Sequence, residues 1–194
     1  KNNKLVYRLK NMKGFFPHSS SFFSRDKALL VGGYRKAFIK SQDHDLWLRL
    51  SEKGKIACLQ DSLVEINEHN KRISNSNMGW SQYEYAFTAI SSHYLRKEKN
   101  NFLENKIQNG NIEDILEKAN NFLEKKDFYK IQNLKVKIKK ILLRKNVIKK
   151  FISLFFFICK NKNLILYAVK LEIFGMNLPY NFALELKKLY RNNL

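Results

Sequence analysis

Apolar residues recur through the second half of the chain at three- and four-residue steps, the period of a helix with one buried face. Trp80, Tyr83, Phe87, Ile90 and Tyr94 share one face, and Arg96 and Lys97 follow where a helix C-terminus favours cations. A second stripe runs through Ile112, Ile115, Leu116, Ala119, Phe122 and Leu123, preceded by Asn111 as a candidate N-cap. A third runs through Leu134, Ile138, Ile141, Ile148, Ile152 and Phe155, with lysine on its other faces. Pro179 interrupts the last segment, and 184–190 follow as a short terminal helix. No repeat of fixed length appears, so a solenoid is not supported. The pattern predicts an all-α region over 77–194.

Residues 1–76 differ in character, mixing aromatic, small and turn-forming residues. Short stretches at 20–24, 55–59 and 63–66 read as strands. Gly32-Gly33 marks a turn, because glycine accepts positive φ without steric cost. Leu46, Trp47 and Leu50 give a helix face, with Asp45 and Arg49 at the spacing of an i,i+4 ion pair. This region is therefore expected to be α/β, a mixed sheet with helices, ahead of the all-α region.

Composition narrows the partners. In 194 residues, 37 Lys and Arg stand against 17 Asp and Glu, a net +20 that calls for an anionic partner: nucleic acid, an anionic membrane face or a phosphorylated substrate. Cys58 and Cys159 lack ligand or redox spacing, which argues against a disulfide-stapled secreted domain and for a reducing interior. The N-terminal stretch is polar and basic and predicts no secretory leader; it carries no initiator Met, as a piece of a longer protein would. The uninterrupted apolar stretch Leu154 to Cys159 is far shorter than the roughly 20 residues of a spanning helix.

The most informative stretch is 17–50. It reads Pro17-His18-Ser19-Ser20-Ser21-Phe22-Phe23-Ser24-Arg25, then Val31-Gly32-Gly33-Tyr34-Arg35, then Gln42-Asp43-His44-Asp45-Leu46-Trp47-Leu48-Arg49-Leu50. In order and spacing these blocks resemble the acceptor-side, C-terminal half of family two glycosyltransferases of the GT-A type. The resemblance extends weakly through 55–59 and 63–74 and covers about the first two-fifths of the chain. It implies a GT-A half-domain over 1–76 and a basic helical tail over 77–194.

By that resemblance Asp43 matches the catalytic base of the family's Glu-Asp pair, with Gln42 where the family often has Glu. Inverting sugar transfer needs such a group, since an acceptor hydroxyl is a poor nucleophile until a carboxylate within hydrogen-bond reach takes its proton. The plain alternative, an acid that complements a helix N-terminus, stands beside it and fits Asp45 better, as an orienting or salt-bridging residue at the substrate site. His18 matches the family's acceptor-side His, or is a turn or capping residue. Gly32, Gly33 and Tyr34 match a loop near donor sugar or acceptor, with a structural turn as competitor. His69 matches the closing-loop His that helps hold the diphosphate or its metal, but Asn67 stands where the family has Arg, unless Lys71 or Arg72 substitutes. Trp47 reads as core before sugar platform.

Asp43-His44-Asp45 is literally a D-x-D, yet it enters a helix after Ile39-Lys40-Ser41-Gln42 and does not follow an apolar strand, where metal-binding acids of these enzymes sit. With no second D-x-D and no glycine-rich phosphate loop, no metal ligand is assigned in this chain. The resemblance implies Mg2+ or Mn2+ for the intact enzyme, bound mostly by the other half. It further implies a nucleotide-sugar donor, a glycan or lipid-linked acceptor in cell-surface polysaccharide synthesis, and a cytoplasmic location, peripheral on the inner membrane face. This chain alone is expected to be inactive.

Lys135, Lys137, Lys139, Lys140, Arg144, Lys145, Lys149 and Lys150 precede the apolar run 151–158. A lysine-rich amphipathic helix with aromatic residues on its other face can lie in a membrane interface, or bury that face and solvate the lysines. A specific nucleic-acid role is disfavoured, since no recognised motif organises the charges. The alternative to an enzyme is a non-catalytic basic helical adaptor for an anionic membrane or nucleic acid.

Overall fold

The computed structural model describes residues 2–12, 16–65, 78–143, 145–173 and 177–190. Ten α-helices are described: α1 (Asn2–Lys10), α2 (Arg25–Leu30), α3 (Gln42–Lys53), α4 (Met78–Lys97), α5 (Phe102–Gln108), α6 (Glu113–Lys125), α7 (Phe128–Leu142), α8 (Val147–Lys160), α9 (Lys162–Ile173) and α10 (Leu178–Leu189). A 3-10 turn spans His18–Ser20. The chain divides into two compact units, 1–120 with 177–194, and 121–176.

The expectation of a partial α/β mixed sheet is corrected: every regular element among the described residues is helical, and none is a strand. The stretch expected as a strand at 20–24 begins inside the 3-10 turn and continues extended. Residues 55–59 and 62–65 form no regular element, with bends at 60 and 61, and no ladder partner lies beside them among the described residues; position 66 of the expected strand lies outside those. Aromatic and β-branched content favours an extended backbone, while a strand also needs neighbouring amides to pair with. The Ile56 N–H instead donates to Asn2 Oδ1 at 2.6 Å.

In the first unit α4 is the central element, packed by α3, α5 and α10. Small buried side chains, Ala86, Ala89, Ser91 and Ser92, let neighbours approach its backbone closely, and Phe87 and Ile90 fill the remaining space. Phe87 meets Phe182 of α10 with ring centroids 5.7 Å apart. Ser91 Oγ donates to the Phe87 carbonyl at 2.8 Å and lies 3.2 Å from the Pro179 carbonyl. α10 starts earlier than the sequence pattern suggests. Asn177 caps it by accepting from the Tyr180 N–H at 3.2 Å, and Pro179 sits in the first turn, where its missing N–H costs nothing.

In the second unit the third apolar stripe proves to be two helices. α7 ends at Leu142, and Asn146 caps α8 by accepting from the Lys149 N–H at 2.9 Å. α7 buries Phe128, Ile131, Leu134 and Ile141, whereas α8 buries none of its residues.

Truncating Phe182 to Ala is expected to lower stability by about 3–5 kcal/mol, because the α4 interface cannot close over the void. Phe155→Ala, at an exposed position of α8, is expected to stay within about 0.5 kcal/mol. Chemical denaturation followed by circular dichroism separates the two.

Candidate functional site

The site residues expected from sequence gather around the start of α3. Ser41 precedes the helix with φ of 52°, in the left-handed region that a non-glycine residue enters only when held there. The hold comes from α4: Ser41 Oγ donates to the Gln82 carbonyl at 2.8 Å, and Lys40 Nζ donates to Ser81 Oγ. Gln42 is exposed at the first helical position, and Asp43 follows, half-buried, with Oδ1 accepting from the His44 N–H at 2.8 Å. Placement in the first turn sets a carboxylate against the positive end of the helix.

Tyr34 feels the charge of Asp43. Burial, and then the negative charge of Asp43, push its hydroxyl above the ordinary tyrosine value. The same hydroxyl lies 2.6 Å from His18 Nε2. The His18 ring stacks on Trp47, with centroids 6.0 Å apart at 25°, and Phe23 meets Trp47 edge-on at 5.1 Å. Trp47 borders an apolar cavity of about 650 Å³, whose lining does not include Asp43, Tyr34 or His18. Phe22, Phe23, Trp47, Leu50, Ile56, Leu59 and Val64 are among its walls. Trp47 is buried, as the helix face requires, yet one edge reaches that cavity.

Gly32 and Gly33 end α2 with φ of 85° and 61°. A Cβ at either would meet nothing within 4 Å, so backbone conformation, and not crowding by a ligand, fixes glycine there. The Gly33 N–H donates to the Ala28 carbonyl at 2.8 Å, and Arg49 donates to the carbonyls of Val31 and, at 2.7 Å, Gly33. The turn is thereby pinned to α3.

Asp45 belongs to what holds this arrangement. It is 1% exposed, and both carboxylate oxygens are engaged: Arg49 donates to Oδ2 at 2.6 Å, and Arg35 donates to Oδ2 at 3.0 Å and also to Oδ1. Arg35 continues to Glu104 at 2.7 Å, Glu104 to Arg96, Arg96 to Glu52 at 2.6 Å, and Glu52 to His93 Nδ1 at 2.5 Å. This alternating chain joins α3, α4 and α5. Sequence reading found only its i,i+4 step, since the other partners lie up to 69 residues apart.

The Asp43-His44-Asp45 sequence does not fit a divalent cation, which would have to displace two guanidinium groups from Asp45. Among the described residues no three His, Cys, Asp or Glu side chains converge as a metal site. His69, Asn67, Lys71 and Arg72 lie outside the described residues.

No protein-family model, no curated protein and no solved structure matches this chain.

Two consequences follow for stability. His44 is buried, and desolvation pulls its pKa from 6.5 down to about 4, against Asp43, Asp45 and a hydrogen bond to the Leu9 backbone, which favour the proton. Above pH 6.5 the ring is neutral folded or unfolded; below it the unfolded chain binds a proton that the buried ring refuses. Stability should fall by roughly 3 kcal/mol between pH 6.5 and 4, and His44→Leu should flatten that part of the profile. For Glu52, partial burial raises the pKa, but hydrogen bonds from His93 and Arg96 outweigh it and hold the group at about 2. Its contribution is present above pH 4.5 and disappears as pH falls toward 2, so thermal melts across pH should show a second, more acidic decline. Separately, Arg35→Met leaves Asp45 and Glu104 short of a partner and should cost about 3–5 kcal/mol in urea denaturation.

Proposed function

We propose that residues 16–65 supply the acceptor-facing side of an inverting glycosyltransferase, with Asp43 as the general base. The observation that supports this reading is a half-buried first-turn carboxylate, Asp43, whose charge is felt at the Tyr34 hydroxyl, which itself lies 2.6 Å from the His18 ring. These are the residue types, in the order, that the resemblance to family two enzymes assigns to the acceptor side.

The reaction needs a proton acceptor at one point. An acceptor hydroxyl gives its proton to the free Asp43 oxygen as its own oxygen attacks the anomeric carbon of a nucleotide sugar. The bond from that carbon to the diphosphate breaks, the diphosphate leaves with the electron pair, and the sugar inverts. Tyr34, His18 and the exposed Gln42 provide donors and acceptors to orient the incoming hydroxyl, and Gly32-Gly33 sets the turn that presents Tyr34. Asp45 acts by holding Arg35 and Arg49, not by touching the sugar. The donor's nucleotide is held by residues beyond this sequence, and the acceptor is a cell-surface glycan or its lipid-linked precursor at the cytoplasmic membrane face.

In the polypeptide made from the complete reading frame, Asp43→Asn should slow sugar transfer by roughly 10²–10⁴-fold while donor binding is unchanged. Full activity in that variant rejects the assigned role. The 194-residue chain alone should transfer no sugar, and clear turnover by it would overturn the division of labour proposed here.

A further inference from the structure

We infer that α8 is an in-plane membrane anchor, seated by its apolar face in the interface of an anionic bilayer. This is independent of whether residues 16–65 transfer sugar. The first observation is an apolar face without cover: Ile148, Phe151, Ile152 and Phe155 are 71%, 66%, 52% and 65% exposed. At 100° per residue they occupy an arc of about 100°, opposite Lys150, Leu154 and Phe157, the side that is less exposed. Phe156 and Ile158 extend the apolar surface on its flanks. Four large side chains in one stripe go well beyond the single exposed apolar residues of an ordinary soluble surface.

The second observation is charge. Between Phe128 and Leu171 the chain holds twelve Lys and Arg and no Asp or Glu. Lys145, Lys149, Lys160 and Lys162 are exposed at the two ends of α8, bracketing the apolar stripe. Long lysine stems can lie along a hydrophobic surface and carry their ammonium groups outward to lipid phosphates. A nucleic acid would satisfy the lysines and leave the isoleucine and phenylalanine faces wet. A second copy would cover the apolar face but bring twelve like charges against twelve.

Geometry then decides between lying in a membrane and crossing it. The 14 residues of α8 extend about 21 Å, short of the roughly 30 Å hydrocarbon core. α8 and residues 162–170 of α9 together have the length and composition of a span, but they bend by 82° at their junction, and no single helix among the described residues is long and apolar enough to cross. An apolar arc with a basic margin on a short helix is the form that settles at the headgroup–acyl boundary.

The test uses the whole chain with vesicles of phosphatidylcholine, alone or mixed with phosphatidylglycerol, in a sedimentation assay. Partitioning onto the mixed vesicles should exceed that onto neutral ones by about tenfold or more and weaken as salt is raised. Phe151→Ser with Phe155→Ser should reduce it by about tenfold or more, with an unchanged melting curve because both sites are exposed. Lys145→Gln and Lys149→Gln should each cost about fivefold on anionic vesicles only. Equal binding to neutral and anionic vesicles overturns the inference, as does equal binding by wild type and the double serine variant. So does a dimer by light scattering that the serine variant dissolves, or binding to RNA with none to vesicles.

Discussion

One carboxylate shared between two guanidinium groups fixes the geometry of the first unit. Asp45 sits in the first turn of α3, almost wholly out of water, and takes Arg49 from its own helix and Arg35 from the loop before it. Desolvating such ions costs several kcal/mol each, so the arrangement contributes less to net stability than its hydrogen bonds suggest. What it does supply is position. Asp45 holds Arg49, which reaches the Val31 and Gly33 carbonyls and so ties the Gly-Gly turn, with Tyr34 next to it in sequence, to α3. Passing charge onward through Glu104, Arg96 and Glu52 lets α4 and α5 share the same constraint.

How much of this could be read from the chain depends on the range of the physics involved. The helix at α4 was legible because helical periodicity is local, but its burial is not a single face: residues 85–93 are all buried, Tyr83 and Tyr94 of the expected stripe are half-buried, and the Trp80 side chain lies outside what is described. The first region was misread as partly β. At 55–59 and 63–66 the residue types favour an extended backbone, but sheet formation depends on a partner that no local pattern supplies. α2 left a usable local signal that apolar periodicity overlooks: Ser24 accepts from the Lys27 N–H, Asp26 sits in the first turn, and two glycines close the end. The break between α7 and α8 had its own marker, Asn146, hidden inside a stripe that keeps its phase across the gap. Pro179 is ambiguous in sequence, since the residue that stops one helix suits the first turn of another.

The candidate site divides along the same line. The first-turn placement of Asp43 and the Asp45–Arg49 pair follow from spacing within one helix. His18 and Tyr34 were each visible in the sequence, although their pairing across a turn was not. The pairing of Arg35, Glu104, Arg96, Glu52 and His93 carried no sequence signal, because ion pairs between separate elements obey tertiary packing and no short-range periodicity. A family resemblance can name a base, but the residues that aim it had to come from coordinates.

Charge is handled in opposite ways by the two units, and this bears on what each does. In the first, Arg35, Arg49 and Arg96 alternate with Asp45, Glu104 and Glu52 in one chain of ion pairs. The second holds fourteen Lys and Arg against three Asp and Glu, more than half of the net +20 in 56 residues. Lysine richness by itself indicates little, since an exposed lysine is content in water. The difference lies in the juxtaposition: the same short helix that is bracketed by cations exposes isoleucine and phenylalanine, which water does not favour. Either feature alone has a dull explanation, a solvated surface or a core helix, but a core helix would bury its stripe and a solvated one would not be built of phenylalanine. An anionic bilayer edge is one environment that rewards both at once, and it needs no preformed partner surface to do so.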